Sequence, residues 1–126
     1  MSRLLVVDDE ANIRLLYAEE LKDEGYEVVT AASSAEATEK LQGNVFDLAV
    51  LDIKLKNESG IELLQKMVKE RHDMPVILCS AFSCYKDDFS AWLADGYVVK
   101  SGDLTELKQE IARLLAKKAL KMKVER

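Results

Sequence analysis

The chain has 126 residues, 48% of them apolar and 33% charged, with a formal net charge of -5. That size and composition suit one domain around one hydrophobic core, and the interspersed charges offer neither a basic stripe for nucleic acid nor a disordered acidic tail. Apolar runs stay short of the roughly 18 residues of a membrane span, and the sequence opens on an apolar strand pattern instead of a basic cleavable leader, so the expectation is a cytoplasmic protein with no membrane partner and no direct nucleic-acid binding.

The first strand pattern is Leu4-Leu5-Val6-Val7, and it runs into Asp8-Asp9. A helical pattern over 13–21 follows, closed by Gly25, a residue that eases the exit from a helix. The second strand pattern, Glu27-Val28-Val29-Thr30, leads to a helix over 35–41, where Ser33 and Glu36 have capping-box spacing. Leu48-Ala49-Val50-Leu51 is the third strand and ends on Asp52. Ser59 is placed to cap a third helix over 61–68. Val76-Ile77-Leu78-Cys79 forms the fourth strand, with Ser80 at its end and a fourth helix at about 84–94. Tyr97-Val98-Val99 is the fifth, followed by Lys100. The last helix covers 104 to about 120, with Asp103 and Glu106 at capping-box spacing and an apolar stripe through Leu104, Leu107, Ile111 and Leu114. Residues 1–121 form the expected domain, and 122–126 a basic tail or the start of a linker.

Strands that are apolar throughout, instead of at every second position, suit parallel pairing with helices on both faces. Five strands alternating with five helices therefore predict an α/β fold with a doubly wound sheet. Its ligands should sit beyond the carboxyl ends of the strands, where strand order reverses. Asp8, Asp9, Asp52, Ser80 and Lys100 stand at those ends. Cys79 and Cys84 read as two reduced thiols, since a pair five residues apart has no partners for a disulfide framework or a zinc site. The single histidine, His72, lies in a polar stretch and reads as a surface residue.

Three carboxylates at neighbouring strand ends repel one another in a partly desolvated cleft unless a cation compensates them. A hard divalent ion answers that need: Mg2+ prefers oxygen ligands, keeps several waters and bridges to phosphate, and Mn2+ can substitute. Asp52, at the end of a buried strand and the start of a loop, can be both exposed and rigidly placed, as a nucleophile for covalent phosphoryl transfer must be. Ser80 can donate a hydrogen bond and Lys100 a positive charge to phosphoryl oxygens, which with the cation neutralises the developing charge.

Asp8-Asp9, Asp52 with Gly60 eight residues on, Ser80-Ala81 and Tyr97-Val98-Val99-Lys100 stand in an order and spacing that resembles the response-regulator receiver domains, the CheY-like phosphoacceptor domains of two-component systems. The resemblance covers essentially the whole chain. It implies a flavodoxin-like, five-stranded parallel sheet in the order 2-1-3-4-5. It also implies that Asp8, Asp9, Asp52 and the backbone carbonyl of Lys54 are metal ligands, Asp52 the phosphoacceptor, Ser80 the switch hydroxyl, Lys100 the phosphoryl-binding lysine and Tyr97 the rotating aromatic. The implied partners are a histidine kinase or a histidine phosphotransfer protein upstream. Downstream, a protein partner or a second copy would bind the face formed by the fourth helix, the fifth strand and the last helix, including Phe82, Tyr85 and Phe89.

The sequence departs from the family pattern at Ser101, where proline commonly follows the lysine, at Lys56, which often is proline, and at Leu93, which usually is glycine. A cis bond to a residue other than proline costs roughly 2.5–4 kcal/mol, so the Lys100–Ser101 bond is open to either form. Two other functions use some of the same residues. An aspartate-nucleophile phosphatase usually needs a second acid two residues beyond the nucleophile, where Lys54 stands. A receiver-like binding module without phosphorylation would have no need of the full set of acids, hydroxyl and lysine.

Overall fold

The computed structural model describes residues 1–55, 58–70, 73–81 and 93–124. In chain order these form β1 (Arg3–Val7), α1 (Ala11–Asp23), β2 (Glu27–Ala31), α2 (Ser34–Gly43), β3 (Leu48–Asp52), β4 (Lys54–Leu55), β5 (Glu58–Ser59), α3 (Gly60–Glu70), β6 (Val76–Ser80), β7 (Gly96–Val99) and α4 (Thr105–Val124). The fourth predicted helix lies outside the described residues except for its last two positions, and Phe82, Cys84, Tyr85, Phe89, Lys56 and His72 also lie outside them.

The long strands make one sheet in the order β2-β1-β3-β6-β7, parallel throughout. Counting those five alone, this is the expected order 2-1-3-4-5. Each strand falls where its apolar run predicted, one residue longer than expected. Alternate strand residues enter two dry layers. Leu5, Val7, Ala49, Leu51, Val76 and Leu78 pack with Ala37 and Leu41 of α2 and Leu63, Leu64 and Met67 of α3. Leu4, Val6, Leu48, Val50, Ile77, Cys79 and Val98 pack with Tyr17 and Leu21 of α1 and Leu107, Ile111 and Leu114 of α4. Burial on both faces explains the unbroken apolar runs.

Helix ends follow local chemistry. Ser33 Oγ accepts from the Glu36 amide at 3.1 Å, and the Glu36 carboxylate accepts from the Ala32 amide at 3.2 Å, closing α2 in capping-box fashion. Ser59 Oγ accepts from the Ile61 amide at 3.2 Å at the start of α3. Gly25 adopts φ 93°. There its amide bonds the Lys22 carbonyl and that of Tyr26 bonds Leu21, the paired pattern that ends a helix with a left-handed residue.

Three details correct the sequence reading, and a fourth decides a point it left open. The segment after Asp52 is no plain loop, because β4 and β5 pair antiparallel, Lys54 with Ser59 and Leu55 with Glu58. Two-residue strands carry no periodicity that a sequence pattern can reveal. Asp103 accepts from the amide and hydroxyl of Thr105, in place of forming the expected box with Glu106. The last helix continues to Val124, four residues past its expected end. Described peptide bonds are all trans, including Lys100–Ser101.

Candidate functional site

Because β1 and β3 are neighbours while the chain leaves β1 for one edge and β3 for the other, the switch point of the sheet lies between them. Asp8 follows β1 and Asp52 ends β3. These two residues are 2% and 5% exposed, and Ser80, at the end of β6, is 2% exposed. Oxygens of Asp8, Asp9 and Asp52 all lie within 4.8 Å of one another. The sheet thus gathers residues 44 positions apart in sequence into one acidic nest.

Lys100, just past β7, reaches into that nest. Its Nζ lies 2.7 Å from Asp8 Oδ2 and 3.1 Å from Asp52 Oδ2. The backbone aims it: the Lys100 amide donates to the Ser80 carbonyl at 2.6 Å, tying the end of β7's ladder to the end of β6. Three carboxylates against one ammonium leave two negative charges, which a divalent cation would balance. The donors are all oxygens, the chemistry of a hard ion, so Asp8, Asp9 and Asp52 fit Mg2+.

Electrostatics reflect the crowding. Desolvation by burial raises the Asp52 carboxyl to about 6; the Lys100 charge opposes that rise and the Asp8 charge adds to it. Burial alone would pull the Lys100 ammonium down, but the hydrogen bond to Asp8 and the charges of Asp52 and Asp8 outweigh it, and its pKa ends above the ordinary lysine value. Asp52 therefore carries an ionised carboxylate near neutral pH that is less stabilised than an exposed one, a useful state for a nucleophile.

Neither residue of the acidic pair caps the first helix: Glu10 is the N-cap of α1 and makes no side-chain capping bond. Asp8 Oδ1 accepts from the Glu10 amide at 2.9 Å, which orients the carboxylate without capping the helix. Arg14, which the sequence did not single out, donates to the Asp8 carbonyl at 2.7 Å and pins that peptide to the first turns of α1. Lys54 donates its amide to Asp52 Oδ1 at 3.3 Å, and its side chain is exposed. Tyr97 lies half-buried against the layer formed with α2 and α3.

Gly60 has a steric reason for its place. A Cβ built there would collide with the carbonyl oxygen of Asp52 and lie 2.9 Å from Ile53 Cα. The Gly60 amide also donates to the Ile53 carbonyl at 2.6 Å. Close approach of two backbones demands glycine, so α3 starts pressed against the Asp52 peptide and braces it. Beneath the site lies a second feature that the sequence hid: the Tyr17 hydroxyl is 3.5 Å from the Cys79 sulfur, both residues being 2% exposed. The 13, 17, 21 spacing could have placed Tyr17 on the buried face of α1, but no local pattern names its partner on β6.

Known proteins match this arrangement. The model of the response regulator receiver domain family matches residues 4–112. The alginate biosynthesis transcriptional regulatory protein AlgB of Pseudomonas putida is 36% identical over 126 residues, covering 98% of this chain; the chain spans only 28% of that relative's length. Among solved structures, the response regulator protein TrrA of Thermotoga maritima in complex with Mg2+ and BeF is 46% identical. That match covers 90% of this chain and 99% of that one, with a TM-score of 0.87. A structure of the histidine kinase ThkA in complex with TrrA matches at 47% identity, covering 91% of this chain and 99% of the other, with a TM-score of 0.86.

Proposed function

We propose that this chain, which belongs to the response regulator receiver domain family, takes one phosphoryl group onto Asp52 from a phosphohistidine and changes its partner-binding surface as a result. The observation that carries the reading is the Lys100 ammonium seated on Asp8 and Asp52, with Asp9 alongside. A bound Mg2+, held by Asp8, Asp9, Asp52 and the Lys54 carbonyl, would supply charge neutralisation for a reaction between two anions.

In the proposed step a carboxylate oxygen of Asp52 attacks phosphorus. The O–P bond forms as the P–N bond to the donor imidazole breaks. The departing nitrogen keeps the electron pair, and a proton on the other ring nitrogen lets the imidazole leave neutral. Lys100 donates to one phosphoryl oxygen and the Ser80 hydroxyl to another, stabilising the charge that develops on them. The buried setting of Asp52 and Ser80 limits access of water, and the Gly60 brace keeps the attacking carboxylate in place.

The readout follows from the same atoms. A phosphoryl group adds roughly 1.5–2 negative charges and three acceptors, which draw the Ser80 hydroxyl toward Asp52. Tyr97, on the strand beside Ser80, then moves inward, and the surface of β7 and α4 changes its affinity for a downstream protein or a second copy. The crystallised complex of ThkA with TrrA supports a histidine kinase as the upstream partner. The role is that of a phosphoacceptor switch, with no turnover of a generic phosphomonoester.

Intact-protein mass spectrometry after incubation with acetyl phosphate tests this. Wild-type protein should gain one phosphoryl mass with Mg2+ and none in a chelator, and Asp52→Asn should gain none in either. Labelling of that variant, or full labelling without a divalent cation, would refute the assignment.

A further inference from the structure

The layer between the sheet and helices α1 and α4 is built from Leu, Val and Ile side chains, yet it holds a phenol and a thiol facing each other 62 residues apart in sequence. Both residues are 2% exposed, and the contact between the two groups offsets part of the desolvation of each. Burial pushes the Tyr17 hydroxyl far above the ordinary tyrosine range, with Cys79, Asp8 and Asp52 adding to the effect, which puts the phenol within electrostatic reach of the acidic nest. Cys79 stands directly opposite Asp52 in the β3–β6 ladder and directly before Ser80. Its carbonyl accepts from the Ile53 amide over a long 3.4 Å. The end of β6 is thus loosely bonded to β3, and the Tyr17 side chain ties it from beneath to α1.

We propose that the Tyr17 hydroxyl, through the Cys79 thiol, is a positioning device that holds the Cys79–Ser80 end of β6 in its resting arrangement and opposes the movement of Ser80 toward a phosphoryl group on Asp52. This rests on the phosphorylation reading and adds a regulator to it. Drawing Ser80 toward Asp52 pulls the adjoining Cys79 backbone, and the 3.5 Å contact between its sulfur and the Tyr17 hydroxyl lengthens with it. The contact is made in the resting state and weakened in the active one, so it biases the equilibrium toward rest. Its removal should favour the active arrangement without touching any group that meets the phosphoryl oxygens.

The test is a double-mutant cycle read by calorimetry of beryllofluoride binding in saturating Mg2+, with Mg2+ binding alone and thermal melting measured in parallel. Tyr17→Phe keeps the ring and Cys79→Ala keeps the backbone; each should bind beryllofluoride roughly 2–5-fold more tightly than wild type, the size of one modest hydrogen bond. The double variant should gain no more than either single one, since both remove the same contact. Cys79→Ser, which restores a polar partner, should return toward the wild-type value. A merely structural role would lower the melting temperature and leave beryllofluoride affinity unchanged. Wild-type affinity in both single variants, weaker binding, or additive gains would overturn the proposal. Failure of the wild-type protein itself to bind beryllofluoride would instead remove the phosphorylation reading, and this inference with it.

Discussion

The interior of the sheet and its carboxyl edge are made from the same strands and obey opposite rules. In the interior, Leu5, Leu51 and Leu78 are fully buried within one apolar cluster. One to three residues further along the chain, Asp8, Asp52 and Ser80 are nearly as buried but polar, and two of them are charged. Burying hydrocarbon stabilises a fold, whereas burying carboxylates beside one another costs free energy unless a cation offsets it. The interior is therefore arranged for stability, and the edge holds a strained charge set that the interior keeps in place.

The comparison is broken most severely from the interior side. Leu78→Ala leaves a cavity in a fully buried apolar layer, and should destabilise the protein by about 2–5 kcal/mol in urea unfolding, in Mg2+ and in chelator alike. Insensitivity of the melting curve to that change would mean that the interior is less tightly packed than the burial implies.

At the edge, Lys100→Met removes the cation from two buried carboxylates, and a loss of about 3 kcal/mol at pH 7 is expected. Unlike the interior defect, this one should shrink when Mg2+ is added, and also as pH falls toward about 6, because without the Lys100 charge to hold it down the Asp52 carboxyl of the variant takes up its proton at a higher pH than that of the wild type. A loss independent of both would show that Lys100 acts by packing alone.

The third change sharpens the contrast because its sign is reversed. Folding raises the Asp52 carboxyl from an ordinary value near 4 to about 6. A raised carboxylate pKa means that ionisation favours the unfolded state, so this group costs nothing below pH 4, costs progressively more between pH 4 and 6, and holds that cost above pH 6. Asp52→Asn should therefore stabilise the cation-free protein by up to about 3 kcal/mol at pH 7, from about two pKa units at 1.36 kcal/mol each, while abolishing phosphorylation. Thermal melts in chelator at pH 7 and pH 4.5 check it: the gap between variant and wild type should close at the lower pH. An unchanged gap would assign the stabilisation to something other than the charge.

The sequence by itself determined the alternation of elements, their parallel pairing and the identity of the strand-end residues. Strand runs apolar at every position require cover on both faces, and the residue that follows such a run must stand at the edge of the sheet. Asp8, Asp52, Ser80 and Lys100 were legible for that reason, and capping chemistry at Ser33, Ser59 and Gly25 was legible because it acts within a few residues. Only the tertiary structure decided what depends on contacts between distant segments. It seated Lys100 on two acids at once, pressed Gly60 against the Asp52 peptide, folded the segment after Asp52 into a hairpin and joined Tyr17 to Cys79. A periodicity records which face of an element is buried, but it carries no information about which residue waits on the other side, and these four contacts are made across that gap.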